Sequence, residues 1–307
     1  MRQNRIHAAL SVVYNLAFHP INHAILASVG KDPNIHLWDV ETQTSIGNIP
    51  IALPGMPEPW LSNVCYSHNG RRVAVSSGGI ALGVVVVWEL EPPPRQCNSF
   101  SHAGQITGIA LDPTGRLGGV WVSPGESVAY VYSPSGQIIA LLRGPAPGGT
   151  AHFSPDGKSF AAGGRFGHPI YDIHPPRNLI IHTDENYRCV RFSPDGIQLA
   201  FTYRSHLGIK PLNNGSQRCW NTGYQDPLKS LDFSPDGKRL VFATGNIASV
   251  CTIASQSEEI PLRGHEDEVT CVAWQPGGGL IATGSRDRTI RLWEATTGNC
   301  VGMIEHR

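Results

Sequence analysis

Hydrophobic and polar positions alternate along this chain in short runs, and each run stops at a turn. Val269–Trp274 is one such run, Arg239–Thr244 a second and Thr289–Trp293 a third. Between the runs fall Pro-Asp-Gly and related clusters, in which Pro presets φ and Gly accepts the positive φ of a tight turn. Alternation of period two over a few residues marks a half-buried strand, and no stretch keeps the 3.6-residue period of a helix. The pattern predicts an all-β chain of short antiparallel strands.

The runs are themselves repeated. Residues Phe153 to Gly157, Phe192 to Gly196 and Phe233 to Gly237 all read Phe-Ser-Pro-Asp-Gly, and weaker copies begin at Phe18, Tyr66, Leu111 and Trp274. Successive copies start 39 to 48 residues apart, the period of four-stranded propeller blades. Each unit has one strand before the phrase and three after it. The fourth is Glu259–Leu262 in the sixth unit and 299–304 in the last. Seven such units close into a ring that leaves only short edges. The expected fold is an all-β, seven-bladed β-propeller of four-stranded antiparallel blades. It fills 1–307 as a single domain, with blades near 12–51, 60–101, 105–142, 148–183, 187–220, 228–262 and 268–304.

Composition narrows the function. Lys and Arg number 24 and Asp and Glu 24, so the net charge is zero, which argues against a nucleic-acid binder dependent on excess positive charge. Charged residues are only 16% of the chain, against 34 Gly and 24 Pro, a turn-rich make-up unlike a helical bundle or a disordered chain. The longest apolar stretch, Gly79–Trp88, is too short to span a bilayer, and no apolar signal segment follows the N-terminal Arg residues. The seven Cys form no Cys-x-x-Cys pair. Buried free thiols in a reducing, cytoplasmic setting, without disulfides, are expected.

Catalytic motifs are missing from the sequence. Gly157-Lys158-Ser159 resembles the end of a phosphate-binding loop, but His152 stands where that loop needs Gly and no helix follows. There is no Gly-x-Ser-x-Gly elbow and no His-Glu-x-x-His zinc motif. The 13 His are scattered along the chain. The reading expects no catalytic residue, no metal and no cofactor.

The last unit carries a family likeness. Gly264-His265 opens it, Ser285–Asp287 marks its second turn, and Ile290–Glu294 closes its third strand. This resembles the WD repeat, and the first unit shares it through Asp32 and His36–Asp39, which includes Trp38. The middle units are degenerate. The resemblance implies a hydrogen-bonded set within a blade, carried here by His265, Thr283 or Ser285, Asp287 and Trp293. His7 and His306 share the phase of His265. The ring therefore closes without a borrowed strand, or residues 3–8 compete for the edge.

The same resemblance implies a non-catalytic protein-interaction scaffold and says which rim meets the partner. That rim takes the lead-ins to the innermost strands and the second turns, which are Tyr14, Lys31, Trp60, Phe166, Arg188, Lys229, Glu268, Thr270 and Arg286. Four cations against one acid, flanked by aromatics, suit an acidic or phosphorylated protein or peptide, because Arg and aromatics dominate binding hot spots. The alternative is a propeller enzyme, or an enzyme-associated domain of hydrolase or peptidase type, with acids and His gathered at the axis.

Overall fold

The structure, a computed structural model, describes residues 11–306 except 54–59, 80, 124–125, 145–148, 164–167, 174–175, 182–187 and 214. Among the described residues there is no helix. The strands form seven four-stranded antiparallel sheets, each made of four consecutive strands. The sheets, numbered blades 1 to 7 in chain order, span 13–50, 61–103, 105–144, 151–181, 190–221, 228–262 and 269–305. Their innermost strands are Val13–Phe18, Leu61–Tyr66, Gln105–Leu111, Ala151–Phe153, Val190–Phe192, Leu228–Phe233 and Val269–Trp274.

Both faces of each blade are covered, so the core is divided among the joints. The described residues form seven apolar clusters, one at each contact between neighbouring blades. At the joint of blades 4 and 5, Ala161 and Ile170 pack on Val190, Phe192, Leu199 and Phe201. Burying a side chain of this size contributes about 1.5–3 kcal/mol, and every joint gathers several. The degenerate middle blades are held in this way, without the Trp-Asp pair.

The phrase turns explain their own sequence. Ser154 Oγ donates to Asp156 Oδ1 at 2.6 Å and accepts the Ser159 N–H at 2.9 Å. The same pair of bonds recurs at Ser193–Asp195 and Ser234–Asp236. The Gly that follows has φ of 68°, 73° and 69° at Gly157, Gly196 and Gly237, the left-handed region where a Cβ is penalised. Gly157-Lys158-Ser159 is thus a hairpin turn.

Ring closure uses no borrowed strand among the described residues: blade 7 ends on its own Cys300–Glu305. Residues 3–8 and His7 lie outside the described residues. One expectation about the thiols needs correction. Cys189, Cys251 and Cys271 are buried, but Cys219 and Cys300 are exposed, because both stand on outer strands that face solvent.

Candidate interaction surface and axial site

A bulge shapes the rim end of the inner strands. In blade 1, Val13 pairs with Gly30 and Asn15 with Val29, which leaves Tyr14 as an extra residue. The same irregularity makes Ser62, Lys229 and Thr270 the extra residues of blades 2, 6 and 7. A bulge bends its strand and re-aims a side chain. Three of these side chains lean onto the next blade. Tyr14 packs on Trp60 with ring centroids 4.9 Å apart. The Lys229 ammonium pairs with the Glu268 carboxylate. Thr270 Oγ1 donates to the Val13 carbonyl at 2.6 Å. Trp60 and Glu268 each stand directly before their inner strand, so the two side-chain pairs occupy equivalent places in the ring.

The rim is therefore not four free cations around one acid. Glu268 takes Lys229 on one oxygen and Arg286 Nε, at 3.0 Å, on the other. Thr270 is engaged in joining blades 7 and 1. Lys31, Arg188 and Arg286 are all exposed, and of these Lys31 and Arg188 have no side-chain partner among the described residues. Phe166 lies outside the described residues.

The hydrogen-bonded set of blade 7 runs in one direction. Trp293 Nε1 donates to Thr283 Oγ1 at 2.8 Å. The Thr283 hydroxyl then donates to His265 Nε2 at 2.6 Å. His265 Nδ1 donates to Asp287 Oδ2 at 2.7 Å. Of the two hydroxyls in question, Thr283 is the link. Ser285 instead accepts the Asp287 N–H and donates to the Asp267 carbonyl. Burial opposes ionisation of Asp287, yet its bonds from Thr289 and His265 keep it below the usual carboxylate range. Burial likewise holds His265 below the usual imidazole range.

Blade 1 repeats the set with a difference. Trp38 Nε1 donates to Ser28 Oγ at 2.7 Å. The place of His265 is taken by His306, whose ring packs on His36 with centroids 4.5 Å apart. His36 Nε2, not His306, meets Asp32 Oδ1 at 3.1 Å. One ligand atom from each of Asp32, His36 and His306 lies within 4.8 Å of the others. These three could hold a metal ion, which the scatter of His along the sequence concealed. Their hydrogen bonds also account for them as the latch of the blade.

The axis is lined by one position per blade, the residue immediately before the turn phrase. Around the ring these are Ala17, Cys65, Ala110, His152, Arg191, Asp232 and Ala273, and all seven border a cavity of about 260 Å³. Pro20, Ser67, His68 and Pro276 of the phrase turns also line it, as do Asn15, Asn63, Gly108 and Thr150 two residues further up the inner strands. No described member of the expected rim set borders it. His152 Nδ1 accepts the Phe192 N–H at 3.2 Å, and Asp232 Oδ2 accepts the Trp274 N–H at 2.8 Å. Inner strands are sheet edges with unpaired N–H groups, and these side chains satisfy them across a joint. Thr150 and Ser230 do the same for Val190 and Val272. Burial drives His152 well below the usual imidazole range, helped by Arg191 and His68. Burial raises Asp232 against the pull of Arg191, and pushes the Cys65 thiol up to about 12. A thiol so poorly ionised is no nucleophile.

Comparison with known proteins agrees with this architecture. Residues 256–294 match the family model described as WD domain, G-beta repeat. A stretch of 48 residues is 44% identical to the ribosome biogenesis protein BOP1 homolog of Drosophila virilis, covering 16% of this chain and 6% of that protein. Another comparison, with zinc finger CCCH domain-containing protein 17 of Oryza sativa subsp. japonica, gives 46% identity over 14% of this chain and 10% of that protein. The chain thus matches only a small part of the length of these relatives. Among solved structures, a chain of the mitotic checkpoint complex superposes with a TM-score of 0.77 at 17% identity, over 93% of this chain and 86% of that one.

Proposed function

We propose, starting from a chain that is a seven-bladed propeller of the WD-repeat type, that it is a non-catalytic scaffold whose rim binds a protein or peptide partner. The observation that carries this is the division of labour among the rim residues. Lys229, Glu268, Arg286 and Thr270 are occupied with joints and with one another. Lys31 and Arg188 are exposed and uncommitted among the described residues, and the half-buried Tyr14–Trp60 pair offers aromatic surface beside blade 1. Such a mouth suits an acidic or phosphorylated segment, since Arg binds carboxylate and phosphate bidentately. That a chain of similar fold belongs to a multiprotein complex supports a scaffold role.

The axis supports binding over catalysis. Asp232 and His152 are engaged as acceptors of backbone N–H groups, and the Cys65 thiol is held protonated.

A peptide array containing acidic and phosphorylated sequences tests the reading. The variant Lys31→Glu with Arg188→Glu is expected to lose binding that the wild type shows. Arg72→Glu with Lys238→Glu, at the phrase end, makes the same change in net charge and is expected to keep it. Loss confined to the second variant would move the partner to the other face. Loss only with Trp60→Ala would make the mouth an apolar peptide site.

A further inference from the structure

At the position before the turn phrase, three successive blades carry polar groups where the other four carry Ala or Cys65, and Asn15, Asn63, His68 and Thr150 also line the cavity. The polar arc is His152, Arg191 and Asp232. The Arg191 guanidinium has five N–H donors, and among the described residues a single one is used, on the Val190 carbonyl at 3.1 Å. Arg191 lines the cavity, and its other N–H groups have no acceptor among the described residues. His152 Nδ1 is an acceptor, held so by the Phe192 N–H. Its proton is therefore on Nε2, which has no acceptor among the described residues. Asp232 receives one backbone N–H on each oxygen, from Phe233 at 3.0 Å and Trp274 at 2.8 Å, and each oxygen keeps lone-pair capacity. Asp232 and Arg191, both described, form no ion pair with each other. Around the arc the cavity thus presents a neutral donor, a cationic donor and an anionic acceptor.

We infer that this cavity binds a phosphate group in its protonated form. Arg191 and His152 donate to its oxyanion atoms, and its P–OH donates to Asp232. An oxyanion without a hydroxyl would leave the Asp232 charge facing it unrelieved, and a cation would face Arg191. The small side chains of the opposite arc leave room for the group within about 260 Å³. No described member of the rim set borders the cavity, so this site stands whether or not that reading does.

Titration calorimetry of the full chain at neutral pH, in buffer free of both anions, tests this with inorganic phosphate and sulfate. Phosphate keeps a P–OH at that pH and sulfate has no hydroxyl. The expected result is saturable phosphate binding at one site, with sulfate roughly tenfold weaker or more, the scale of one charge-assisted hydrogen bond. Arg191→Met should weaken phosphate by a similar factor without lowering the melting temperature in the absence of phosphate, because Arg191 makes one backbone bond only. Asp232→Asn should bring the two anions closer together in affinity. No phosphate binding by the wild type, equal binding by Arg191→Met, or sulfate binding as tightly as phosphate overturns the proposal.

Discussion

His306 and Ser11 are bonded to each other in both directions. The Ser11 N–H donates to the His306 carbonyl at 2.8 Å, and His306 Nδ1 donates to the Ser11 carbonyl at 3.2 Å. Ser11 Oγ in turn accepts the Lys31 N–H at 2.8 Å. Blade 1 is thereby tied to the residue that follows the outer strand of blade 7. Two further bonds reinforce the seam, from Gln275 to the His23 carbonyl and from Gln43 to the Val301 carbonyl.

Deleting residues 298–307 removes the strand Cys300–Glu305 together with His306. It leaves the strand Thr289–Glu294 as an open edge and unties blade 1. Open edges recruit other chains. The truncated protein is expected to melt at lower temperature and to aggregate, as read by light scattering during thermal unfolding. Unchanged melting and solubility would refute this account of the seam.

The seam should also respond to pH. Burial, with His36 adding repulsion, lowers His306 to about 4. An unfolded His titrates near 6.5, so between those values the unfolded chain takes up a proton that the folded ring refuses. Stability from this residue is present above about pH 6.5 and is lost as pH falls toward 4, by about 3 kcal/mol in all. His152 and His265 are also lowered and act in the same direction. Replacing His306 with Gln should lower stability at neutral pH and flatten the acid limb of a denaturation series between pH 7 and 4. An acid limb as steep as that of the wild type would exclude His306 as a contributor.

Asp287→Ala and Asp236→Ala should separate sharply. Asp287 accepts from His265, from the Glu266 and Thr289 N–H groups, and from the Thr289 hydroxyl. Its side chain is 7% exposed. Stranding such partners costs about 1–3 kcal/mol each. Asp236 is exposed and supports a single turn. Denaturant midpoints for the two variants are expected to differ clearly, with Asp287→Ala much the lower.

Gly108→Ala tests how closely blade 3 meets blade 4. A Cβ at 108 would fall 2.5 Å from the Ala151 nitrogen and 2.8 Å from the Thr150 Cα. Both are backbone atoms and cannot rotate aside. Overpacking of this kind costs about 1–3 kcal/mol. A melting temperature equal to that of the wild type would show that the joint gives way easily.

Much of the fold was legible in the sequence for a simple physical reason. A turn repeated around the ring leaves Ser-Pro-Asp-Gly intact in three blades and weaker traces of it in the other four, and the buried chain from Trp293 to Asp287 needs distinctive residue types. The axial site was not read from the sequence, although its residues stand one place to the left of each phrase, at Ala17, Cys65, Ala110, His152, Arg191, Asp232 and Ala273. In the linear sequence those positions are only the approach to a turn, and their convergence emerges when the blades are set around a ring. The pairing of Lys229 with Glu268 was harder. Charge counting treats rim residues as independent, whereas a bulge re-aims one of them onto the neighbouring blade. The phase of His306 was visible but its partners were not, since they lie almost a full chain length away, at Ser11 and His36.

Because every blade completes its own sheet, the ring has no privileged starting point. The joint between blades 7 and 1 is made of the same materials as the others, an apolar cluster and side chains that reach edge groups across the gap. Joining Ser11 to His306 through a short linker and reopening the chain between Asn221 and Leu228 would give a circular permutant in which the blades run from the sixth to the fifth. Each sheet would keep its strand order, and each joint would keep its residues. The linear order of the blades is thus one of seven equivalent readings of a single closed object.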